Sequence, residues 1–403
     1  MRVLFVTTNW GSHYYHLVPL IWAMRASGHE VYVSSEPGFT ETVVRSGAIA
    51  VPASRDVDRA ELMKRVPANQ PDWPEAAPEG VSGEEWRGGW RDVSRRAFPM
   101  FVSLAENLAD DVLRQTRALR PDLIVYEPTS FVAPLVGAAT GIPAVRHVLG
   151  VDVVYMARNL VPPVLRPLAE RLGVGDVDVL GLATIDNCPP SMQLPSKVDR
   201  IRTRFVPYNG SGAMPDWLFE PPARRRIGVS WGLCASDRGR GFLVPELLKA
   251  LSDLDAEIVV TLSSADRKNL GEGRLPEKVR VVESLPLNLL MPSCDVMLHQ
   301  SGISTMLTAL SYGVPQLVVP QMPDELMESR PLVAAGAGIA VAPESGLDTF
   351  AERTAELLAV PSYREAAGGL REEMRRQPAP TETVKELEAF VRTGAPRRPA
   401  ASN

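Results

Sequence analysis

Short apolar runs alternate with helical patterns along almost the whole chain, and this alternation restricts the fold more than any other feature. Residues 2–8 are β-branched and apolar, which is typical of a buried strand. A helical pattern over 15–26 follows, which Gly28 can close, and residues 30–35 predict the next strand. Strand, helix and strand at this spacing indicate a parallel sheet with right-handed crossovers.

The same alternation begins a second time near residue 227, after the proline- and aromatic-rich segment 215–224. We therefore predict two α/β domains, each a Rossmann-like, doubly wound parallel sheet, facing a central cleft. In such sheets ligands bind beyond the carboxyl ends of the strands. The predicted boundaries are 1–214 for the first domain, 215–224 for the linker, 225–378 for the second domain, 379–395 for a last helix that packs back on the first domain, and 396–403 for a disordered tail.

The remaining strands and the long helix follow from the same patterns. A long excursion without clear periodicity, 66–90, separates the third strand from a helix predicted over 101–119. The further runs that we interpret as strands are 48–52, 123–126, 144–148 and 204–208 in the first half, and 227–231, 257–262, 279–282, 296–299 and 316–319 in the second.

Charge and composition exclude several classes of partner. The net charge of −5 gives no electrostatic reason to expect nucleic acid or an anionic membrane surface. No apolar stretch approaches the roughly 20 residues that span a bilayer, and the first residues lack the pattern of a signal peptide. The three cysteines are widely spaced, as in a protein with reduced thiols. We therefore expect a cytoplasmic protein.

A polar segment that follows a strand of the second half and opens a helix is a candidate phosphate site. Small and hydroxylated residues there let backbone N–H groups approach a ligand, and the positive end of a helix favours an anion. The alternative is a plain strand-to-helix turn capped by a serine. The candidate residues are His299, Gln300, Ser301, Gly302, Ser304 and Thr305.

Two carboxylates follow the next strand of the second half. Asp324 and Glu325 are acceptors, and acceptors near a phosphate site suit the hydroxyl groups of a sugar. The alternative is a solvated acidic pair ahead of a helix. Two DxD triplets, at Asp56 and Asp176, have the form of metal-binding pairs, but such triplets arise easily among 48 acidic residues. We expect no metal site.

Histidines and one glutamate follow strands of the first half. His13 lies at the predicted start of a helix, where the dipole disfavours an imidazolium, so the neutral ring can act as a base. Glu127 ends another strand and can orient that histidine. Each has a structural alternative, a packed histidine and a solvated carboxylate. His16 is a further candidate base or acceptor contact, whereas packing is slightly favoured over acceptor contact for His147.

Taken together, these motifs resemble the GT-B nucleotide-sugar glycosyltransferases of actinobacterial antibiotic pathways, which act on macrolides, enediynes and aromatic polyketides. The resemblance covers nearly the whole chain. It rests on MRVLFVTT at the start, SHxxxLVPL around His13, RPDLIVYEP around Glu127, CPPSMQL, RFVPYNGSG, PLNLL, and GVPQLVVPQ with its following acidic pair.

The resemblance implies a role for each matching position. It places the general base at His13 and its acidic partner at Glu127. It places the diphosphate beside Ser230, Gly232 and the 299–305 segment, the base of the nucleotide beside Leu285, and the sugar beside the acidic pair. The chain departs from the family pattern at Gln300, Ser301, Ser284 and Glu325, where relatives carry histidine, glycine, an aromatic residue and glutamine.

The activity that the resemblance implies is an inverting, metal-independent transfer of a deoxysugar from a dTDP-sugar to a small apolar aglycone, without a cofactor. Trp90, Phe101, His16 and His147 are the candidate acceptor contacts. The alternatives are a UDP-glucose-dependent resistance enzyme that glucosylates a finished macrolide, a nucleotide-sugar epimerase with the same fold, and an inactive relative. The sequence leaves open a homodimer and a separate activator protein.

Overall fold

The computed structural model describes residues 1–58, 62, 91–232, 241–270 and 275–393. By internal contacts, the described chain forms two compact units. The first contains the described residues within 1–187, 194–204 and 377–403, and the second those within 188–193 and 205–376.

The first unit is built on a seven-stranded sheet in the order β3-β2-β1-β4-β5-β6-β7, and every pairing between neighbours is parallel. Strand β1 lies inside the sheet between β2 and β4, and its residues Val3 to Val6 are fully buried, as expected for a strand covered on both faces. The strands are β1 (Arg2–Val6), β2 (Glu30–Ser35), β3 (Ile49–Pro52), β4 (Leu123–Tyr126), β5 (Ala144–Val148), β6 (Thr184–Asp186) and β7 (Arg200–Arg202).

Helices connect these strands. The chain is helical almost continuously from Gly11 to Ala26, and Gly28 then adopts a φ of +83°, which glycine accommodates at a helix end. The helices are α1 (Gly11–Tyr14), α2 (Val18–Ala26), α3 (Thr40–Arg45), α4 (Arg91–Leu119), α5 (Val132–Thr140) and α6 (Val161–Arg171).

The second unit has a six-stranded parallel sheet in the order β10-β9-β8-β11-β12-β13. Its strands are β8 (Arg225–Ser230), β9 (Ala256–Leu262), β10 (Val279–Glu283), β11 (Val296–His299), β12 (Gln316–Val318) and β13 (Gly338–Ala340). Its helices are α7 (Val244–Ala250), α8 (Ser264–Arg267), α9 (Leu287–Leu290), α10 (Ile303–Ser311), α11 (Pro323–Ala334), α12 (Leu347–Ala359) and α13 (Pro361–Arg376).

The last helix, α14 (Pro380–Thr393), belongs to the first unit, where it packs against α2. Nε2 of His29 lies 3.0 Å from Oε1 of Glu388 in this helix, and Phe390 of the same helix is buried. Within the described ranges, no helix combines the length and apolar content needed to cross a bilayer.

The sequence patterns misplace one strand. Residues 204–208 do not form a strand, and the last strand of the first sheet is β7, which ends at Arg202. The apolar pattern at 204–208 reflects the burial of Phe205 rather than sheet pairing, and Pro207 lacks the N–H that a ladder needs. The Arg204 N–H instead donates to the carbonyl of Pro378.

Candidate functional site

The carboxyl ends of β1 and β4 bring His13 and Glu127 together. These strands are neighbours in the sheet, His13 lies in the helix that follows β1, and Glu127 follows β4 directly. The Nδ1 of His13 lies 2.9 Å from Oε2 of Glu127. Because an ionised carboxylate can only accept, Nδ1 donates and Nε2 carries the lone pair. Among the described residues, Nε2 has no hydrogen-bond partner.

The Glu127 carboxylate is fully buried but well hydrogen-bonded. Thr129 donates to it through its backbone N–H at 2.9 Å and its hydroxyl at 2.8 Å, and the Ser130 hydroxyl donates at 2.6 Å. Burial raises the pKa of Glu127, but the charge and hydrogen bond of His13, with the bonds from Ser130 and Thr129, outweigh it and lower the pKa overall. Glu127 is therefore an anion placed to stabilise a protonated His13.

Two aromatic rings surround the His13 imidazole. The Trp10 indole stacks on it, with ring centroids 4.8 Å apart and planes 10° apart. Phe101, a predicted acceptor contact, lies 6.1 Å from the imidazole centroid and 6.4 Å from that of Trp10. Sequence reasoning did not select Trp10. The available signal was its spacing, since Trp10 is the N-cap of α1 and His13 is three residues later.

His16 and His147 form a second, buried histidine pair. Their rings meet edge to face at 5.0 Å, and Nε2 of His16 lies 3.2 Å from the His147 carbonyl, to which it can donate. Burial lowers the pKa of His16 to about 4 and that of His147 to about 3. Both rings are buried and neutral at pH 7, so a packing role suits them better than the role of a base. Trp90, the other predicted acceptor contact, lies outside the described residues.

The 299–305 segment forms the expected strand-to-helix turn in the second unit. Strand β11 ends at His299, Gly302 is the N-cap, and α10 begins at Ile303. Ser304 and Thr305 therefore lie in the first turn, where backbone N–H groups lack helical partners and the potential is positive. No side chain caps this end of α10.

Two residues of this segment turn inward. Nε2 of His299 lies 2.8 Å from Oε1 of Gln316, and burial lowers the pKa of His299 to about 4. The Ser301 hydroxyl donates to the Glu325 carbonyl at 2.9 Å. The backbone of Ser301 has a φ of +70°, which is uncommon for a residue with a side chain. These two residues shape the loop, and their bonded polar atoms are not free to meet a ligand.

Other polar atoms near this loop are buried without a partner among the described residues. They include Nδ1 of His299, Oε1 of Gln300 and Oδ1 of Asp324. Glu325 is also buried, and its carboxylate accepts from the Gln321 N–H at 2.9 Å. The two acidic residues therefore have different roles. The Glu325 carboxylate bonds the backbone after β12, whereas Asp324 retains an unpaired carboxylate oxygen.

Ser230, Gly232 and Leu285 lie at the carboxyl ends of β8 and β10. Ser230 is the register partner of His299 on the neighbouring strand. Gly232 has a φ of +75°, and a Cβ there would stand 2.2 Å from Nε2 of Gln300. Leu285 is buried and packs into the core of the second unit. Only glycine at position 232 leaves the Gln300 amide where it is.

The two sites supply complementary chemistry. The His13 site offers a neutral nitrogen lone pair backed by a buried carboxylate, which suits the removal of a proton from a hydroxyl group. The 299–305 site offers backbone donors, two hydroxyls and a helix N-terminus, which suit an anion. The described residues contain no group of three or more histidine, cysteine, aspartate or glutamate side chains placed to hold a metal ion.

Family models decide the relationship. The model described as erythromycin biosynthesis protein CIII-like, N-terminal domain, matches residues 22–232, and that of the corresponding C-terminal domain matches residues 245–390. The chain belongs to the erythromycin biosynthesis protein CIII-like family.

Curated relatives agree with this CIII-like assignment. The 10-deoxymethynolide desosaminyltransferase of Streptomyces venezuelae is 35% identical over 100% of this chain and 99% of the relative. The tylactone mycaminosyltransferase of Streptomyces fradiae is 34% identical over 97% of this chain and 92% of the relative. This CIII-like protein is therefore a glycosyltransferase, and the resemblance to antibiotic-pathway transferases is confirmed.

Solved structures agree as well. The glycosyltransferase VinC in complex with dTDP is 29% identical, with a TM-score of 0.81, over 97% of this chain and 100% of that one. The spinosyn rhamnosyltransferase SpnG complexed with spinosyn aglycone is 28% identical, with a TM-score of 0.79, over 96% and 100%. The fold of this CIII-like protein is GT-B, as predicted. The relatives do not favour a resistance enzyme or an epimerase.

Proposed function

We propose that this glycosyltransferase moves a deoxysugar from a dTDP-sugar to a hydroxyl group of a polyketide aglycone or glycosylated intermediate, with inversion and without a metal ion. The hydrogen bond between His13 and the buried Glu127 carboxylate carries the proposal, because it leaves one lone pair on Nε2. We assign the acceptor to the first unit and the nucleotide sugar to the second.

The chemical step is a single displacement. Nε2 of His13 takes the proton of the acceptor hydroxyl, whose oxygen forms a bond to the anomeric carbon. The bond between that carbon and the diphosphate oxygen breaks, and its electron pair leaves with dTDP. One displacement inverts the anomeric configuration. The Glu127 carboxylate stabilises the imidazolium that forms, so that the proton remains on the enzyme until dTDP has left.

The leaving diphosphate needs positive potential. The first turn of α10 supplies unpaired N–H groups and the hydroxyls of Ser304 and Thr305. These donors do what a divalent cation does in other transferases, which is the physical reason for proposing metal independence. The relative VinC was solved with dTDP, which supports a thymidine nucleotide as the donor here.

The acceptor surface that we propose is apolar and aromatic. Trp10 and Phe101 flank the base, and the neutral pair of His16 and His147 adds little charge. Aromatic surface of this kind suits a macrocyclic or flat apolar ligand. The relative SpnG binds spinosyn aglycone, which supports a polyketide acceptor.

The proposal is tested by incubating the purified protein with a panel of dTDP-sugars, dTDP-deoxysugars included, and macrolactone aglycones in EDTA. We expect a glycoside by mass spectrometry, with the anomeric configuration opposite to that of the donor by NMR. Retained configuration, or product only when a divalent cation is restored, would contradict the mechanism.

The same panel separates the alternatives. UDP-glucose as the best donor, with a finished macrolide as acceptor, would indicate a resistance enzyme. Conversion of the nucleotide sugar without any acceptor would indicate an epimerase. Neutral dTDP-sugars should be compared with amino sugars, because the unpaired Asp324 oxygen can accept from an ammonium or from a hydroxyl group.

A further inference from the structure

The Trp10 indole covers one face of His13, and backbone hydrogen bonds hold the turn that carries both residues. Trp10 is the N-cap of α1, and its carbonyl accepts from the His13 N–H at 3.0 Å. The backbone of the preceding residue is also hydrogen-bonded, since the Asn9 N–H donates to the buried Glu36 carboxylate at 2.7 Å. These bonds bring the two residues together at the start of α1.

The geometry suits a cation more than a neutral ring. An indole face carries negative electrostatic potential and attracts a cation within about 6 Å of its centroid, and the His13 centroid is 4.8 Å away. The Glu127 carboxylate stabilises the same cation from the Nδ1 edge. Phe101 lies beside the same ring, with centroids 6.1 Å apart and planes tilted by 35°. His13 would thus become charged between an anion and an aromatic face.

We propose that Trp10 is a positioning residue that holds the His13 ring and stabilises its imidazolium during transfer. This inference rests on the proposed role of His13 as general base. Among the described residues, Glu127 and His16 interact electrostatically with the His13 ring. Since burial lowers the pKa of His16 to about 4, that ring is uncharged at neutral pH and does not alter the reasoning.

The test compares Trp10→Leu, which keeps an apolar side chain, with Trp10→Phe, which keeps an aromatic face. Trp22→Leu is the matched control, because Trp22 lies in α2, half-exposed, with its indole bonded to the Ser46 carbonyl. We expect Trp10→Leu to lower kcat about tenfold with KM changed much less, and Trp10→Phe to lower it about threefold. The acidic limb of the pH profile of kcat/KM should move to lower pH in Trp10→Leu.

A second measurement needs no turnover. In protein labelled at histidine Cε1, the His13 signal, assigned with His13→Gln, should lose its ring-current shift in Trp10→Leu and titrate at lower pH than in wild type. An unchanged titration midpoint, or a kcat equal to that of Trp22→Leu, overturns the inference about Trp10. If His13→Ala keeps full activity while the His13 signal of Trp10→Leu still shifts as expected, the proposed base is wrong. The effect of Trp10 on the His13 ring would then still hold.

Discussion

The His13 site of the first unit is held by side chains, whereas the 299–305 site of the second unit is held by backbone and by side chains that point inward. The His13 and Glu127 side chains meet directly, and Glu127 has further donors from Thr129 and Ser130. In the second unit, polar atoms such as Oε1 of Gln300 are buried without a described partner. A buried polar atom without a partner costs free energy, so a polar ligand that pairs these atoms would be stabilised in the second site.

This difference suggests a division of labour. A site whose carboxylate is already held by several hydrogen bonds is preorganised for a chemical step. A site with exposed helical N–H groups and unsatisfied side-chain atoms is suited to binding. Substitutions in the first site should therefore change kcat, and substitutions in the second should change the affinity for the nucleotide.

The largest effect is expected for His13→Ala. Removal of a positioned general base typically costs 10² to 10⁴ in rate, so kcat should fall by about 10³-fold with little change in KM for the donor. The measurement is dTDP release with the best donor and acceptor pair. A variant with more than a tenth of wild-type kcat would remove His13 from the mechanism.

Glu127→Gln should have a smaller effect of the same kind. The amide preserves size but removes the anion that stabilises the imidazolium, so we expect kcat to fall about 10²-fold. Because the imidazolium loses a partner, the acidic limb of the kcat/KM profile should move to lower pH. A variant with normal kcat and a raised donor KM would assign Glu127 to binding and break the proposed division.

Gly232→Ala tests the second site through its backbone. The added Cβ would meet Nε2 of Gln300 at 2.2 Å, so the amide must move, and we expect dTDP to bind about three- to tenfold more weakly. Gly336→Ala is the matched control: its φ of +71° brings similar strain, but its new Cβ would have only Ala366 nearby, at 3.9 Å. Equal dTDP affinities in the two variants would show that Gln300 does not contribute.

The smallest effect concerns pH and stability. The lowered pKa values of His16 and His147 mean that the folded state binds fewer protons than the unfolded state. Their contribution is complete above about pH 6.5 and is lost as the pH falls towards about 4 for His16 and about 3 for His147, by up to about 1.4 kcal/mol per pH unit for each ring. His16→Gln should therefore reduce the drop in thermal midpoint between pH 7.5 and 5 by a few degrees. An unchanged drop would mean that His16 accepts a proton without cost in the folded protein.

Much of the fold could be predicted from the sequence because the longer buried strands are runs of consecutive apolar residues. Strand β2 has the predicted bounds, and β1 and β9 differ by two residues or fewer at an end. The strands that the patterns missed, β6, β7 and β13, have three residues each, too few to show a periodicity. Strand β12 is as short, but its apolar run continues into buried Val319 and so could be recognised. The opposite error at 204–208 arose because burial of Phe205 imitates a strand pattern.

The two sites likewise combine features that the sequence predicts with features that it does not. The pairing of His13 with Glu127 could be predicted because both follow parallel strands of one sheet, whose carboxyl ends share an edge. The inward direction of His299 and Ser301 could not, because it depends on Gln316 and on the Glu325 carbonyl, which tertiary packing brings near. The stack of Trp10 on His13 depends on side-chain rotamers at a helix start, which no periodicity encodes.

The most direct test of the division is calorimetric titration of dTDP in EDTA into wild type, His13→Ala and the double variant Ser304→Ala/Thr305→Ala. Both hydroxyls lie in the first turn of α10. We expect wild type and His13→Ala to bind with equal Kd and the double variant to bind at least about tenfold more weakly, as for the loss of hydrogen bonds to a charged group. Equal binding by the double variant, or loss of binding in His13→Ala, would contradict the separation of catalysis from nucleotide binding.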